Sequence, residues 1–144
     1  MPITYWLLVE RLENWKTDEQ EGFLRFGMPE RKRKLAEQIE AGDHLIFYVA
    51  SGVSKISDIR IAAGGGIAKL AGAGKYDTAF PFAIHTRPHL VLPRDAWVPF
   101  SGLVKKLSFT AAKLDWRQTM RNGLRRLDKE DGLVLENAIK RAVN

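Results

Sequence analysis

Two tryptophans stand beside polar side chains that could hold a nucleobase. Asn14 and Trp15 are adjacent in an otherwise polar segment, so an amide that can hydrogen-bond to a base edge stands next to a ring that can stack on its face. Trp116 precedes Arg117, which pairs an aromatic ring with a phosphate-binding cation. Stacking contributes about 1–3 kcal/mol per base. These residues predict a pocket for an unstacked base, and core packing is the alternative for each tryptophan.

An apolar wall for such a pocket could come from two other segments. Phe26 and Met28 flank Gly27 and precede Pro29, just before a basic segment, and Tyr48 lies near the end of an apolar run. Core packing is the alternative for Tyr48. Trp6, in a buried-strand pattern, is expected in the core, and Trp97, beside Pro99, at a surface or edge.

Positive charge is concentrated in two parts of the chain. The sequence has 23 basic and 17 acidic residues, a net charge of +6. Residues 101–126 hold seven basic residues and one acidic residue, and a second basic cluster spans 31–34. Such clusters suit a polyanion such as nucleic acid, although a solvated surface is the alternative. We expect phosphate contacts from Lys105, Arg117, Arg121 and Arg125.

Several other kinds of chemistry are excluded or unsupported. There are no cysteines, so disulfides, thiolate metal sites and cysteine nucleophiles are excluded. The glycine-rich segment fits neither the P-loop nor the dinucleotide-binding pattern, since Lys69 stands where each requires glycine, and Tyr76 follows the P-loop lysine position. His85 and His89 straddle a proline in a strand-like segment, with no third ligand evident. We therefore predict no metal, no cofactor and no catalysis.

The cellular setting is predicted from what the sequence lacks. No apolar run approaches the roughly 20 residues that span a bilayer, and the N-terminal segment has no signal-peptide pattern. We therefore expect a cytoplasmic protein that is not bound to a membrane. Its 144 residues suit one domain.

The elements that must position these residues alternate between apolar runs and polar connections. We predict helices over 29–40 and 128–142, a short helix over 116–120 capped by Asp115, and a turn with a short helix between 12 and 25. Strands are predicted over 4–9, 44–50, 61–72 and 80–92. This order favours an α+β fold, with a small bent sheet or barrel and helices packed outside it.

Taken in order, several segments resemble the EVE domain family, in particular its short prokaryotic single-domain branch. The segments are Tyr5-Trp6, Glu13-Asn14-Trp15, Phe26-Gly27-Met28-Pro29, Ala41-Gly42-Asp43-His44-Leu45-Ile46-Phe47-Tyr48, Asp115-Trp116-Arg117 and Gly123-Leu124. This sequence departs from the family pattern at Phe26, where many members have tryptophan, and in segment 61–75, which has few large side chains.

The resemblance implies one EVE/PUA-like domain over residues 1–144, a bent β-barrel with flanking helices related to YTH domains. It also implies a non-catalytic module that holds a modified or flipped-out base of DNA or RNA in an aromatic-lined pocket. Two alternatives remain open at this point. One is a small-molecule or nucleotide-directed enzyme, and the other is a protein-interaction accessory module.

Overall fold

The computed structural model of the chain describes residues 2–69, 75–76 and 79–143, which form one mixed sheet with helices around it. The strands are β1 (Tyr5–Glu10), β2 (Arg25–Met28), β3 (His44–Val49), β4 (Lys55–Lys69), β5 (Phe82–Val91), β6 (Val98–Pro99) and β7 (Leu124–Leu127). The α-helices are α1 (Leu12–Gln20), α2 (Arg33–Ala36), α3 (Trp116–Met120) and α4 (Lys129–Val143). None of the helices in these ranges is long and apolar enough to cross a membrane.

The sheet is curled but open. Its strands lie in the order β2-β5-β4-β3-β1-β7, with β6 beside β4. Strand β1 runs parallel to β3, and the other pairs are antiparallel. The end strands β2 and β7 do not pair with each other among the described residues, but Lys32 Nζ donates to Asn122 Oδ1 across the gap (2.8 Å). The predicted α+β fold, a bent barrel with flanking helices, is confirmed in the form of a half-barrel.

Both faces of the central strands are buried, which explains their unbroken apolar runs. Successive residues of a strand point to opposite faces, so Leu7 and Ile46 pack in one apolar cluster, whereas Trp6 and Phe47 pack in another. Trp6 is fully buried, as predicted, and its indole nitrogen donates to Asp43 Oδ2 at 3.0 Å.

Helix α4 begins and docks as its sequence indicates. The backbone amide of Asp131 donates to Asp128 Oδ1 at 2.8 Å, an N-cap contact. Gly132 rests on the Tyr5 ring, where a Cβ atom would overlap it. The buried face includes Leu135 and Ile139, whereas Val143, at the end of the helix, is 53% exposed.

The structure corrects several predicted elements. The helix predicted over 29–40 is a 3-10 turn at Glu30–Lys32 followed by the short α2. Strand β4 begins at Lys55 rather than 61, and residues 70–72 of that prediction lie outside the described residues. Asp115 precedes α3, but its side chain makes no capping hydrogen bond. The end strands β2 and β7 were not predicted at all.

A buried arginine joins three parts of the fold. Arg60 on β4 has no exposed surface. Its guanidinium donates to Asp58 Oδ2 (2.7 Å), Asp18 Oδ2 (2.8 Å) and Glu10 Oε2 (3.0 Å). The four residues lie on β4, α1 and β1, so the burial of one cation fixes the packing of these elements against each other.

Replacing Arg60→Ala should lower the free energy of unfolding by about 3–5 kcal/mol, because three buried carboxyl groups lose their cation. Chemical denaturation of the variant beside the wild type measures this loss. The matched control is Arg87→Ala, since Arg87 is exposed on β5 and its loss should cost at most about 0.5 kcal/mol. Equal effects of the two substitutions would contradict the structural role of Arg60.

Candidate nucleic-acid interface

A cavity of about 320 Å³ lies in the open seam of the half-barrel. Strand β2 supplies one side of it, and Arg121 and Gly123, just before β7, also line it. Val9 and Glu10, at the end of β1, line it between these two elements. The volume is at the lower end of the roughly 300–1,000 Å³ typical of small-ligand sites.

Aromatic and apolar side chains form the wall on the β2 side. Phe26 and Met28 line the cavity together with Tyr76 and Phe80. The rings of Tyr76 and Phe80 meet edge to face with centroids 5.1 Å apart, and Phe26 packs edge to face against Phe47 at 5.0 Å. Tyr76 and Phe80 are only half-buried, so ring surface remains available to a ligand. The sequence analysis missed both residues, although an aromatic pair after a glycine-rich segment was a usable signal.

Gly27 allows this wall to form. A Cβ atom on Gly27 would lie 3.0 Å from both Lys75 Cβ and Tyr76 Cε2, tighter than nearly all real contacts. The backbone amide of Gly27 also donates to the Tyr76 hydroxyl at 3.4 Å. Tyr76 has a φ of 66°, in the left-handed region that a bulky residue rarely adopts. Tyr76 thus combines an unfavourable backbone conformation with a close approach of its ring to Gly27 at the cavity.

Cations surround the cavity, and an amide joins them. Arg11, Arg31, Lys32 and Arg121 line it, and so does Asn14 on α1. Burial and the neighbouring charges of Arg31 and Arg125 hold the pKa of Lys32 below its ordinary value. Several cations held this close together favour a bound anion. We call the set Arg11, Arg31, Lys32 and Arg121 the basic rim.

A neighbouring groove shares part of the rim. Arg11 and Arg121 line both the cavity and this groove of about 680 Å³, which also contains Tyr48 and Arg117. A nucleic-acid strand with one base in the cavity would therefore find further cations for its phosphates along this groove.

Ionisable groups lie beneath the aromatic wall. The Tyr76 hydroxyl donates to Asp18 Oδ1 at 2.6 Å, and Lys75 Nζ lies 2.7 Å from the same oxygen. Burial, followed by the charges of Glu10 and Asp18, raises the pKa of Tyr76. The Tyr76 side chain is thus a fixed hydrogen-bond donor rather than a titrating group near neutral pH. No cluster of metal-ligating side chains occurs in the part of the chain that the structure describes.

Six of the residues singled out in the sequence come together at this cavity. They are Asn14, Phe26, Gly27, Met28, Pro29 and Arg121. Tyr48 and Arg117 line the neighbouring groove instead, and Tyr48 is a core residue with 2% exposure. Sequence analysis did not identify Glu10 or Arg11 as site residues.

The predicted position of Trp15 is wrong. Trp15 lies on helix α1 and is 2% exposed, so it takes the core alternative and does not line the cavity. Its indole nitrogen donates to Asp58 Oδ1 at 3.0 Å, and its ring meets that of Trp97 at 4.8 Å. Adjacent helical residues point about 100° apart, so Asn14 faces the cavity while Trp15 faces the core. Trp97, expected at a surface or edge, is 4% exposed and directly precedes the short strand β6.

Trp116 and three of the four predicted phosphate contacts, Lys105, Arg117 and Arg125, lie outside the cavity lining. Trp116 is half-buried against Phe100, with ring centroids 5.2 Å apart, and the Arg117 guanidinium lies 4.4 Å from the Trp116 ring. Lys105 is exposed on a 3-10 turn. Arg125 on β7 lies over the Phe109 ring at 4.9 Å.

Comparison with known proteins identifies the fold. No protein-family model and no curated protein sequence matches the chain. A solved structure from Agrobacterium tumefaciens has a TM-score of 0.62 and 17% identity, covering 96% of this chain and 92% of that chain. Human THYN1, in complex with DNA containing 5-methylcytosine, has a TM-score of 0.60 and 11% identity, with 98% of each chain covered. The YTH domain of Zygosaccharomyces rouxii MRB1, in complex with N6-methyladenosine RNA, has a TM-score of 0.66 and 11% identity, covering 97% and 86%.

These similarities extend over nearly the whole chain. At identities of 11% to 17% they establish the fold alone, which is the PUA-like fold that the THYN1 and YTH domain structures share. The fold expected from the sequence resemblance is thereby confirmed.

Replacing Trp15→Ala should lower the free energy of unfolding by about 3–5 kcal/mol, because the change empties a buried tryptophan site. It also leaves Asp58 Oδ1 without the indole donor. Thermal and chemical denaturation measure the loss, and Trp116→Ala serves as the half-buried control, for which we expect a smaller cost. A Trp15→Ala variant as stable as the wild type would contradict the core assignment.

Proposed function

We propose that this domain binds a single modified or flipped-out base of DNA or RNA in the seam cavity and performs no reaction on it. The observation that carries the proposal is the cavity itself, which combines an aromatic wall, an amide and a basic rim. A base offers a π-face for stacking, polar atoms on its edge and a phosphate on either side. Each of these features has a counterpart among the lining residues.

The aromatic wall supports the stacking part of the proposal. Tyr76 and Phe80 are half-buried, and Phe26 and Met28 extend the apolar surface beside them. This apolar wall also favours a methylated base, because an added methyl group contributes about 0.8 kcal/mol when it is buried.

The basic rim supports the backbone part. Its cations, Arg11, Arg31, Lys32 and Arg121, line the same cavity, so a base inside it has its flanking phosphates within a positive field. The complexes of THYN1 with 5-methylcytosine DNA and of MRB1 with N6-methyladenosine RNA supply analogies for such a ligand on this fold.

The test is a binding series with four short single-stranded oligonucleotides. They carry one 5-methylcytosine, one N6-methyladenine, or the unmodified cytosine or adenine at the same position. We expect one modified oligonucleotide to bind more tightly than its unmodified partner. Replacing Phe80→Ala should weaken that binding by about 1–3 kcal/mol, because one stacking surface is removed.

Phe109→Ala is the control for this variant, since Phe109 is also half-buried but does not line the cavity. Fluorescence anisotropy gives both dissociation constants, and circular dichroism checks folding. Base recognition in the cavity would be refuted if the wild type bound all four oligonucleotides with the same affinity and if Phe80→Ala left that affinity unchanged.

Salt dependence tests the basic rim. The double variant with Lys32→Ala and Arg121→Ala should bind every oligonucleotide more weakly, with a salt slope smaller by about 0.7 for each phosphate of a single strand that the variant no longer neutralises. A matched pair of exposed cations outside the cavity, Lys105→Ala with Lys106→Ala, should change the slope less. The salt slopes of the two double variants are obtained from dissociation constants measured at several salt concentrations. A larger effect of the control pair would place the phosphate contacts on the 3-10 turn instead.

A further inference from the structure

A buried cluster of charges beneath the cavity has one atom without a partner. Arg60 contacts all three carboxyl groups of the cluster, those of Glu10, Asp18 and Asp58. Lys75 is the second cation, paired with Asp18 at 2.7 Å. Three ionised carboxylates would outnumber these two cations by one negative charge. A protein interior disfavours such an excess, so the cluster is balanced when one carboxyl group is protonated.

The hydrogen-bond partners show which carboxyl group that is. Both oxygens of Asp58 accept hydrogen bonds, from Arg60, Ser57 and Trp15. Both oxygens of Asp18 are also occupied, Oδ2 by Arg60, and Oδ1 by the Tyr76 hydroxyl and the Lys75 ammonium. Glu10 Oε2 accepts from Arg60 at 3.0 Å. Glu10 Oε1 is buried with no hydrogen-bond partner among the described residues.

Glu10 is also the carboxyl residue of this cluster that lines the cavity. Its side chain is 1% exposed, so a polar oxygen sits without a partner at a buried position beside the ligand space. Leaving such an atom unsatisfied costs about 1–3 kcal/mol. A ligand that supplies the missing hydrogen bond would recover that cost, and a ligand that does not would leave it in place.

The electrostatics around Glu10 favour its neutral form. Burial raises the pKa of Glu10 most, Arg60 opposes the rise, and Asp18 and Asp58 add to it, so the pKa lies well above its usual range. The other ionisable groups at the cluster are Lys75, which pairs with Asp18, and Tyr76, which donates to it. Lys75 also lies 2.9 Å from Glu21, and Glu21 in turn pairs with Arg25 at 3.1 Å, so this outer pair leaves the charge balance of the cluster unchanged. A protonated carboxyl group gains an O–H donor.

We propose that Glu10 is held as a neutral carboxylic acid and donates a hydrogen bond through Oε1 to an acceptor atom on the edge of the bound base. This assignment rests on the proposed function and makes Glu10 a specificity-determining residue of the same site. The ligand class is a base that turns a ring nitrogen or a keto oxygen towards Glu10. Asn14, which also lines the cavity, is the second polar group available to the base edge.

The pH dependence of binding tests the assignment. The probe is whichever of the four oligonucleotides the wild type binds most tightly, titrated by fluorescence anisotropy from about pH 6 to about pH 9. Wild-type affinity should fall as the pH rises, approaching about tenfold per pH unit once Glu10 loses its proton. In Glu10→Gln the amide oxygen can accept from Arg60 while the amide nitrogen keeps a donor towards the cavity. This variant should bind within a few-fold of the wild type at the low end of the range, with little pH dependence.

Glu13→Gln is the matched control, because Glu13 is an exposed acid on α1 outside the cavity lining, and it should keep the wild-type profile. Wild-type affinity that rises with pH would show that Glu10 acts as an ionised acceptor and would overturn the proposal. Affinity independent of pH over a range in which the wild-type stability profile shows Glu10 losing its proton would overturn it too. Retention of the wild-type pH dependence by a folded Glu10→Gln variant would assign the titration to another group and overturn it as well.

Unfolding measurements separate this assignment from the proposed function. A folded-state pKa raised above the unfolded value means that the folded protein keeps a proton that the unfolded chain releases, so the stabilising effect of that proton is lost as pH rises through this range. The free energy of unfolding of the wild type should therefore fall with rising pH relative to Glu10→Gln. If no oligonucleotide binds but this difference is present, the proposed function fails and only the neutral state of Glu10 stands. Parallel stability profiles would overturn the neutral state whatever the binding result.

Discussion

The burial of the Arg60 guanidinium constrains more of this molecule than any other contact in the fold. A cation without exposed surface needs carboxyl partners, and these come from the end of β1, from α1 and from β4 itself. Asp58 in turn fixes Trp15, and Asp18 fixes the Tyr76 hydroxyl. The guanidinium also lies 3.6 Å from the centre of the Phe47 ring. One buried charge thus positions a core helix on one side and a wall of the cavity on the other.

The open sheet leaves a concave candidate site above this arrangement. A fully closed barrel would pair β2 with β7 and fill the space between them, whereas the seam leaves a concave surface bounded by two strand edges. Gly27 brings the segment with Tyr76 and Phe80 against one edge, and Lys32 bridges to Asn122 near the other. The charged cluster lies underneath. Its carboxyl oxygens are satisfied by protein groups except at Glu10, the carboxyl residue of the cluster that meets the ligand space.

The sequence predicted the central strands and the last helix because each carries a strong local pattern. The apolar run ending at Val49 and the Asp128 cap are examples. It missed β2 and β7 because each is four residues long, pairs on one side of the sheet and carries arginine. Those strands flank the cavity, so its lining was only partly predictable: the sequence singled out the segment from Phe26 to Pro29, which lines it, but not Tyr76. Trp15 was misplaced because its partner, Asp58, is 43 residues away, and no local pattern shows such a contact.

The position of β7 at one end of the sheet has a consequence for biosynthesis. Strand β7 pairs with β1, so Leu124 lies beside Leu8 although most of the sequence separates them. Strands β3, β4 and β5, in contrast, are consecutive and form an antiparallel meander. Closing a long loop costs more conformational entropy than closing a short one, so the meander is expected to form early in folding and the β1–β7 pair late. A nascent chain that has not yet emerged beyond Arg121 can build the meander but has an incomplete cavity. The two sides of the cavity therefore come together only in chains whose synthesis and folding have both passed this last pairing.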